Sequence, residues 1–500
     1  MDKIENGKTF MANYLSDDHK PAEKLKYTIR RAYDYCTAGY NKVPVIQAET
    51  GSGKTTTIFD TLIPNLIRDG VQIINYVIPR HEILDDPSEY KDQFKSLFPG
   101  NKIWVGFATN KNLGSAYKMK RQLQSDEVRA FVIISTHAWV INGSAAEDFL
   151  FLMKELGNRS AWLADEIHHA HTSSSEAYLN DKGHRGNDSY KARMYKFLND
   201  MKQFTKHVYG FSATPTNEQL GHLSLDDFEV FKPEYEKEDI LGNYGLIGNV
   251  RGHRVPSKWR EKSDAVQAWY DEMFLEIQEL EEDNFLLSGV GKNTMMIQCL
   301  NGNHIDVVLK KIKNDLRQRG SNEQVAIMTG NRGEIHNPLT GKYIYDYSDS
   351  EIKHMLNDPN SPVTILLVKQ KGNMGMNIHT MKRMFCFRNP KTFDENKDPI
   401  FNSVSQLLGR SVRVNKLADG ASLEQIKIAN TMNFFLPETD ITIAAVRKFE
   451  EFFVSADDVE LTICDSMLLE EIKKDSQLVK ISPLHCGALD RAIERSIIIE

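Results

Sequence analysis

The stretch Ala48-Glu49-Thr50-Gly51-Ser52-Gly53-Lys54-Thr55-Thr56 has the residue types and the spacing that a triphosphate needs. An apolar run, Val43-Pro44-Val45-Ile46, enters it as a strand, and Thr55-Thr56-Thr57-Ile58-Phe59 leaves it as the start of a helix. Strand, glycine loop, helix is the context of a phosphate-binding loop. Gly51 and Gly53 let backbone N–H groups turn inward around phosphate oxygens without Cβ clashes. The helix that follows aims its positive end at the same oxygens. Lys54 would reach the β- and γ-phosphates, and the Thr55 hydroxyl would ligate Mg2+. The strict pattern asks for Gly where Ala48 stands. A glycine-rich turn feeding a helix is the plainer alternative, and the Gly-Lys-Thr ending with both flanking elements weighs against it.

A second group with chemistry to offer is Trp162-Leu163-Ala164-Asp165-Glu166-Ile167-His168-His169. An apolar strand that ends in adjacent carboxylates supplies what nucleotide hydrolysis requires. Asp165 would hold Mg2+, directly or through water, and Glu166 would orient or deprotonate the attacking water. His168, His169 and His171 invite a metal reading, but no further ligand set accompanies them, and contact with neighbouring loops accounts for them better. Gly210-Phe211-Ser212-Ala213-Thr214-Pro215-Thr216 ends a strand in small hydroxyl residues, and alone it is a turn. Far downstream stands Gln406-Leu407-Leu408-Gly409-Arg410-Ser411-Val412-Arg413. On a helix this spacing brings Gln406, Arg410 and Arg413 to one face.

These groups need elements to hold them. A chain of 500 residues, 41% apolar and 26% charged, is an ordinary globular protein of several domains. A net charge of −7 neither favours nor excludes nucleic acid, because a basic channel can be local on an acidic chain. The cysteines, Cys36, Cys299, Cys386, Cys464 and Cys486, form neither a paired framework nor a zinc spacing, which suits a reducing compartment. The first residues lack the apolar core of a signal peptide, and no run is long and apolar enough to span a bilayer. A cytoplasmic protein without membrane partners is expected.

Residues 21–40 read as a helix, with Leu25, Ile29, Ala32 and Tyr33 at helical spacing. Apolar runs follow at Gln72–Ile78, Ile103–Phe107, Ala130–Ile134, Ala161–Ala164 and His207–Phe211. Their alternation with helix-like segments predicts a parallel sheet covered on both faces, with ligand residues just past the strand carboxyl ends. Residues 215–260 are rich in Gly, Pro and charge and read as a passage between domains. Ser263 then caps a helix with the apolar stripe Val266, Trp269, Tyr270, Met273, Ile277 and Leu280. A second set of strands, Thr294–Cys299, Gln324–Thr329, Val363–Val368 and Arg383–Arg388, predicts another parallel sheet without a phosphate loop.

Together the motifs resemble superfamily 2 helicases and translocases of the DExH-box, restriction-type kind. Asp165-Glu166-Ile167-His168 is similar to their DExH box, and Ser212-Ala213-Thr214 to their third motif. Val77-Ile78-Pro79-Arg80 and Ile134-Ser135-Thr136-His137 resemble their two early nucleic-acid-contact motifs. Gln-x-x-Gly-Arg-x-x-Arg at 406–413 matches their sixth motif in full, and the resemblance makes Arg410 and Arg413 catalytic arginine fingers, typically worth 10³–10⁵ in rate. Lys371-Gly372-Asn373-Met374-Gly375-Met376-Asn377-Ile378 occupies the place of the fifth motif. It departs from the family pattern, with Asn377 where Asp is usual and Lys369 where Thr is usual. Asn377 can still bond a ribose hydroxyl, though without charge. No adenine-reading glutamine motif precedes the phosphate loop.

The resemblance implies an α/β fold of two tandem RecA-like parallel-sheet domains with a short C-terminal extension. Residues 1–225 would form the first motor domain, 226–290 a linker and connecting helix, 291–435 the second motor domain and 436–500 the extension. ATP and Mg2+ are the implied cofactors. The ATP site would comprise residues 48–56 with Gln406 and Asn377, the metal Thr55 and Asp165, and the chemistry Lys54, Glu166, Arg410 and Arg413. Nucleic acid is the implied partner, DNA favoured over RNA, touched by Pro79, Arg80, Thr136 and Lys369. Two alternatives stay open. A nucleotide kinase or GTPase would not need the 406–413 motif, and the guanine-specific Asn-Lys-x-Asp is missing. The other is a nucleotide-gated nucleic-acid-binding subunit of a larger complex, without strand separation, which measured turnover would tell from a motor.

Overall fold

The computed structural model describes residues 3–48, 51–78, 89–100, 102–108, 115–136, 139–140, 146–167, 200–212, 228–253, 264–329, 332–369, 378–387, 408–409, 411–438 and 440–461. The chain divides into two compact units. One is Pro21–Glu234, and the other joins Met1–Lys20 to Tyr235–Glu500.

The first unit is built on β1 (Val43–Gln47), β2 (Ile73–Ile78), β3 (Ile103–Phe107), β4 (Ala130–Thr136), β5 (Ser160–Ala164), β6 (Val208–Ser212) and β7 (Phe228–Phe231). They lie in the order β3-β4-β2-β5-β6-β1-β7, and every ladder is parallel. Strands β2, β4, β5 and β6 are buried at every residue. That is why they read as continuous apolar runs rather than alternating ones. Successive side chains feed two cores, one on each face. Tyr76, Ile134 and Leu163 join Leu25, Ile29 and Phe59 on one face, and Val77, Ile133 and Trp162 join Phe149 and Met201 on the other. Helix Lys20–Thr37 buries Leu25, Ile29 and Ala32, as its spacing requires. Strand β7 falls in the stretch expected to be a passage between domains. It pairs with β1 through only four residues, and only Phe228 among them is buried.

The second unit carries β8 (Leu246–His253), β9 (Thr294–Gln298), β10 (Gln324–Thr329), β11 (Arg332–His336), β12 (Tyr343–Tyr345), β13 (Val363–Val368), β14 (Met381–Cys386) and β15 (Thr431–Pro437). Their order is β12-β11-β10-β13-β9-β14-β15-β8. The expected all-parallel sheet is here a mixed one, because β11 and β12 fold back antiparallel beside β10. Strand β8 was also unexpected in a segment rich in glycine. Gly248 is needed there, since a Cβ would come within 2.5 Å of both the Asn433 and Thr431 side chains on neighbouring β15. Helix Asp264–Leu286 buries all six residues of its apolar stripe. Its carboxylates meet β14, where Arg383 binds Glu276 at 3.0 Å, Glu279 at 2.8 Å and Asp283 at 2.8 Å.

Helix Lys3–Leu15 packs in this second unit although it precedes the phosphate loop in sequence. Asn13 Nδ2 donates to the carbonyls of Glu238 at 2.6 Å and Leu241 at 2.8 Å. Helix Asp440–Glu450, within the stretch expected to be an extension, puts Val446 and Phe449 into the core with Phe434 and Met432. Among the described residues no helix is long and apolar enough to cross a membrane.

Candidate functional site

Strand β1 ends at Gln47, and the next N–H, that of Ala48, donates to the Ser212 carbonyl at 3.0 Å. The tips of β1 and β6 are thereby tied. Gly51 and Gly53 adopt φ of 86° and 79°, the left-handed region where a side chain is strained. Gly53 is the N-cap of helix Lys54–Thr57, and its carbonyl accepts the Thr57 N–H at 2.8 Å. The helix continues through a π-helical stretch, Ile58–Leu62, into Ile63–Arg68. Lys54 Nζ donates to the Ala48 carbonyl at 2.6 Å, so its ammonium lies inside the curl of its own loop.

Strand β5 delivers Asp165 to the same region. Its N–H donates to the Val77 carbonyl at 2.8 Å, which ties the ends of β5 and β2. Asp165 is 6% exposed. Burial raises its carboxyl above the ordinary range, and the charge of Glu166 adds to the effect; the Lys54 ammonium and the Tyr76 hydroxyl pull the other way. Glu166 has φ of 48°, one of three non-glycine residues in the left-handed region among those described. Such backbone costs of order 1–3 kcal/mol and persists where the surroundings over-determine it.

Tyr76 is the residue that sequence reasoning missed. It is fully buried, packs edge-on against Phe59 with ring centroids 5.9 Å apart, and sets its hydroxyl against Thr55 and Asp165. The only signal was a phenol inside an apolar strand, which a hydrophobicity count treats as one more apolar residue. The structure thus brings Lys54, Thr55, Asp165 and Glu166 together past the carboxyl ends of β1 and β5, with Tyr76 of β2 close by.

A divalent cation suits this donor set. A buried carboxylate with a like charge beside it gains from a cation, and Thr55 offers a neutral oxygen close by. No cluster of three or more His, Cys, Asp or Glu that could cage a metal occurs among the described residues. Mg2+ in phosphate sites commonly takes one or two protein oxygens and completes its shell with phosphate and water.

The remaining candidates are placed as follows. Glu49, Thr50, Pro79, Arg80, Asn377, Gln406, Arg410 and the histidines after Glu166 lie outside the described residues. Thr56 is exposed on the first helical turn. Thr136 is buried at the end of β4, and its hydroxyl accepts the Trp139 N–H at 3.2 Å. Lys369 is exposed just past β13. Arg413 is half-buried and not helical. The expected helix through Arg413 gives way because its carbonyls are used elsewhere. Those of Ser411 and Arg413 accept from Lys382 Nζ, and that of Val412 accepts the Gly245 N–H at 2.8 Å.

Residues 20–217 match the family model of the Type III restriction enzyme, res subunit. No curated protein matches the chain in sequence. Among solved structures it resembles the DUF1998 helicase MrfA bound to DNA, at 12% identity and a TM-score of 0.50, over 85% of this chain and 48% of that one. It also resembles a Dbp5 variant of S. cerevisiae bound to RNA and ADP BeF3, at 13% identity and 0.47, over 90% and 93%. A fragment of a putative HsdR subunit of a type I restriction enzyme from Vibrio vulnificus gives 14% and 0.48, over 91% and 73%. The chain therefore spans about half the length of MrfA. The likeness to MrfA speaks to fold alone: two RecA-like α/β domains.

Proposed function

We propose that this restriction-type helicase-like chain is an ATP-dependent motor on nucleic acid. The observation that carries the reading is the gathering of Lys54, Thr55, Asp165 and Glu166 past the carboxyl ends of two interior strands, β1 and β5, of the first sheet. The backbone of Gly51–Lys54 and the Lys54 ammonium bind the β- and γ-phosphates. Thr55 and Asp165 would hold Mg2+, which would supply positive charge to neutralise the phosphates. Glu166 orients the attacking water and accepts its proton. By their motif, Arg410 and Arg413 stabilise charge on the transferring phosphoryl. The buried Tyr76 hydroxyl lies near Thr55 and Asp165 and adds a polar group to the wall of the site.

Contacts to the track go mainly to phosphates, since a motor must not depend on sequence. The match to a type III res subunit and the likeness to MrfA, whose structure holds DNA, favour DNA over RNA. The test is ATP hydrolysis by the purified chain with single- and double-stranded DNA and RNA added in turn. Several salt concentrations are needed, because phosphate contacts weaken steeply with salt. Stimulation by DNA and its loss in Lys54→Ala are expected. Normal hydrolysis by Lys54→Ala would overturn the site. Turnover indifferent to every nucleic acid would favour another class of phosphate-loop enzyme, and nucleotide binding without turnover a nucleotide-gated subunit.

A further inference from the structure

Lys382 is a buried ammonium for which the reading above has no use. It sits in β14 with none of its surface exposed. The ladder between β14 and β9 slips between Met381 and Arg383, so Lys382 is the extra residue of a bulge. Bulges re-aim side chains, and they concentrate next to active sites. This one aims Nζ at the carbonyl of Ser411, 3.0 Å away, and at that of Arg413. Ser411 and Val412 are themselves fully buried. Two residues further on, the Asn415 side chain donates to the Lys292 carbonyl at 2.9 Å, and its N–H donates to Asn430 at 2.8 Å. The backbone that carries Arg413 is thus fixed on both sides by polar groups.

We infer that Lys382 is a positioning residue that sets the backbone from which Arg413 presents its guanidinium. The inference rests on the motor reading, in which Arg413 stabilises the transferring phosphoryl. A buried ammonium is costly, and an apolar side chain of equal length would serve packing better. What an apolar residue could not do is bind two carbonyls of a segment that leaves the helical pattern. Burial and the neighbouring Arg413 charge lower the Lys382 ammonium to about 7. A neutral amine still donates two hydrogen bonds, so the clamp survives either protonation state.

The experiment is a double-mutant cycle on the full chain with single-turnover ATP hydrolysis. Lys382→Met is unbranched and apolar, one heavy atom shorter, and removes the donors. It should fold, lower the rate constant of hydrolysis roughly tenfold or more, and leave the KM for ATP within about twofold, because a misplaced group costs rate before binding. Lys382→Gln keeps an amide donor and should recover part of the rate. In an Arg413→Ala background Lys382→Met should cost nothing further, since both changes remove the same group. A Lys382→Met rate within about twofold of the parent would overturn the inference, as would an undiminished effect in the Arg413→Ala background. If Lys382→Met does not fold, Lys382→Gln in the same two backgrounds gives the same decision. Unchanged turnover in Arg413→Ala alone would instead overturn the role given to Arg413.

Discussion

Glu166 separates catalysis from stability better than any other residue of the site. Its left-handed backbone is a property of the turn after β5, so an amide of the same shape meets the same strain. Glu166→Gln should therefore melt with the parent and bind ATP as before. It should lose roughly 10²–10⁴ in kcat, the usual worth of a positioned general base. Thermal melting, nucleotide titration and turnover on one preparation check this. Turnover near the parent value would remove Glu166 from the mechanism. At this scale the glycine turn between β1 and helix Lys54–Thr57 was legible because glycine and lysine at fixed offsets have few other uses. Tyr76 and Lys382 were not, because a polar atom at the end of a long side chain leaves no trace in a periodicity. Only the fold shows that one reaches Thr55 and Asp165, and the other the carbonyls of Ser411 and Arg413.

At the scale of elements, an apolar interior made most strands readable. Buried β2, β5, β9, β13 and β14 were each found from their runs, whereas β8, β11, β12 and β15 were not. Glycine and polar residues interrupt the apolar ones in β8 and β11, and β12 is exposed along its whole length. Acidic residues fill the face of helix Asp264–Leu286 opposite its apolar stripe, and three of them anchor the helix to Arg383, which is 5% exposed. Removing the guanidinium leaves Asp283 without its cation and Glu276 with only the partly exposed Arg251, 3.2 Å away, so Arg383→Met should cost about 3–5 kcal/mol near neutral pH. Burial already raises both carboxyls above their ordinary range. Without Arg383 they rise further, so the native state holds protons that the unfolded chain releases above pH ~4. Stability of the variant then falls as pH climbs from ~4 toward neutrality, and the deficit against the parent shrinks in acid. Urea unfolding of both proteins between those limits tests the sign. A deficit independent of pH would mean that packing, not charge, holds the helix.

At the scale of the molecule, sequence order misleads about which residues belong together. A helix just ahead of the phosphate loop reads as part of the loop's domain, but Lys3–Leu15 buries Phe10, Met11 and Tyr14 with Leu241, Leu246 and Val459 in the other unit. Such long-range partners share no local pattern, so only packing reveals them. Gly242 is the position most sensitive to this arrangement. Its φ is +73°, and a Cβ would lie 2.1 Å from the Phe10 carbonyl oxygen and 2.6 Å from the Tyr14 nitrogen. Both are backbone atoms of the helix and cannot swing aside. Gly242→Ala must therefore displace Lys3–Leu15, at a cost of roughly 2–3 kcal/mol from overpacking and strained backbone. The N–H groups of Leu246–His253 and of Leu417, which donates to the Tyr14 hydroxyl at 2.9 Å, should lose protection against hydrogen exchange. Those of β1, β2 and β5 should keep theirs, and ATP should bind the Lys54 loop as tightly as in the parent. Equal loss of protection in both sheets would show that the chain opens as one cooperative body, and the two units would then be a division of geometry without thermodynamic meaning.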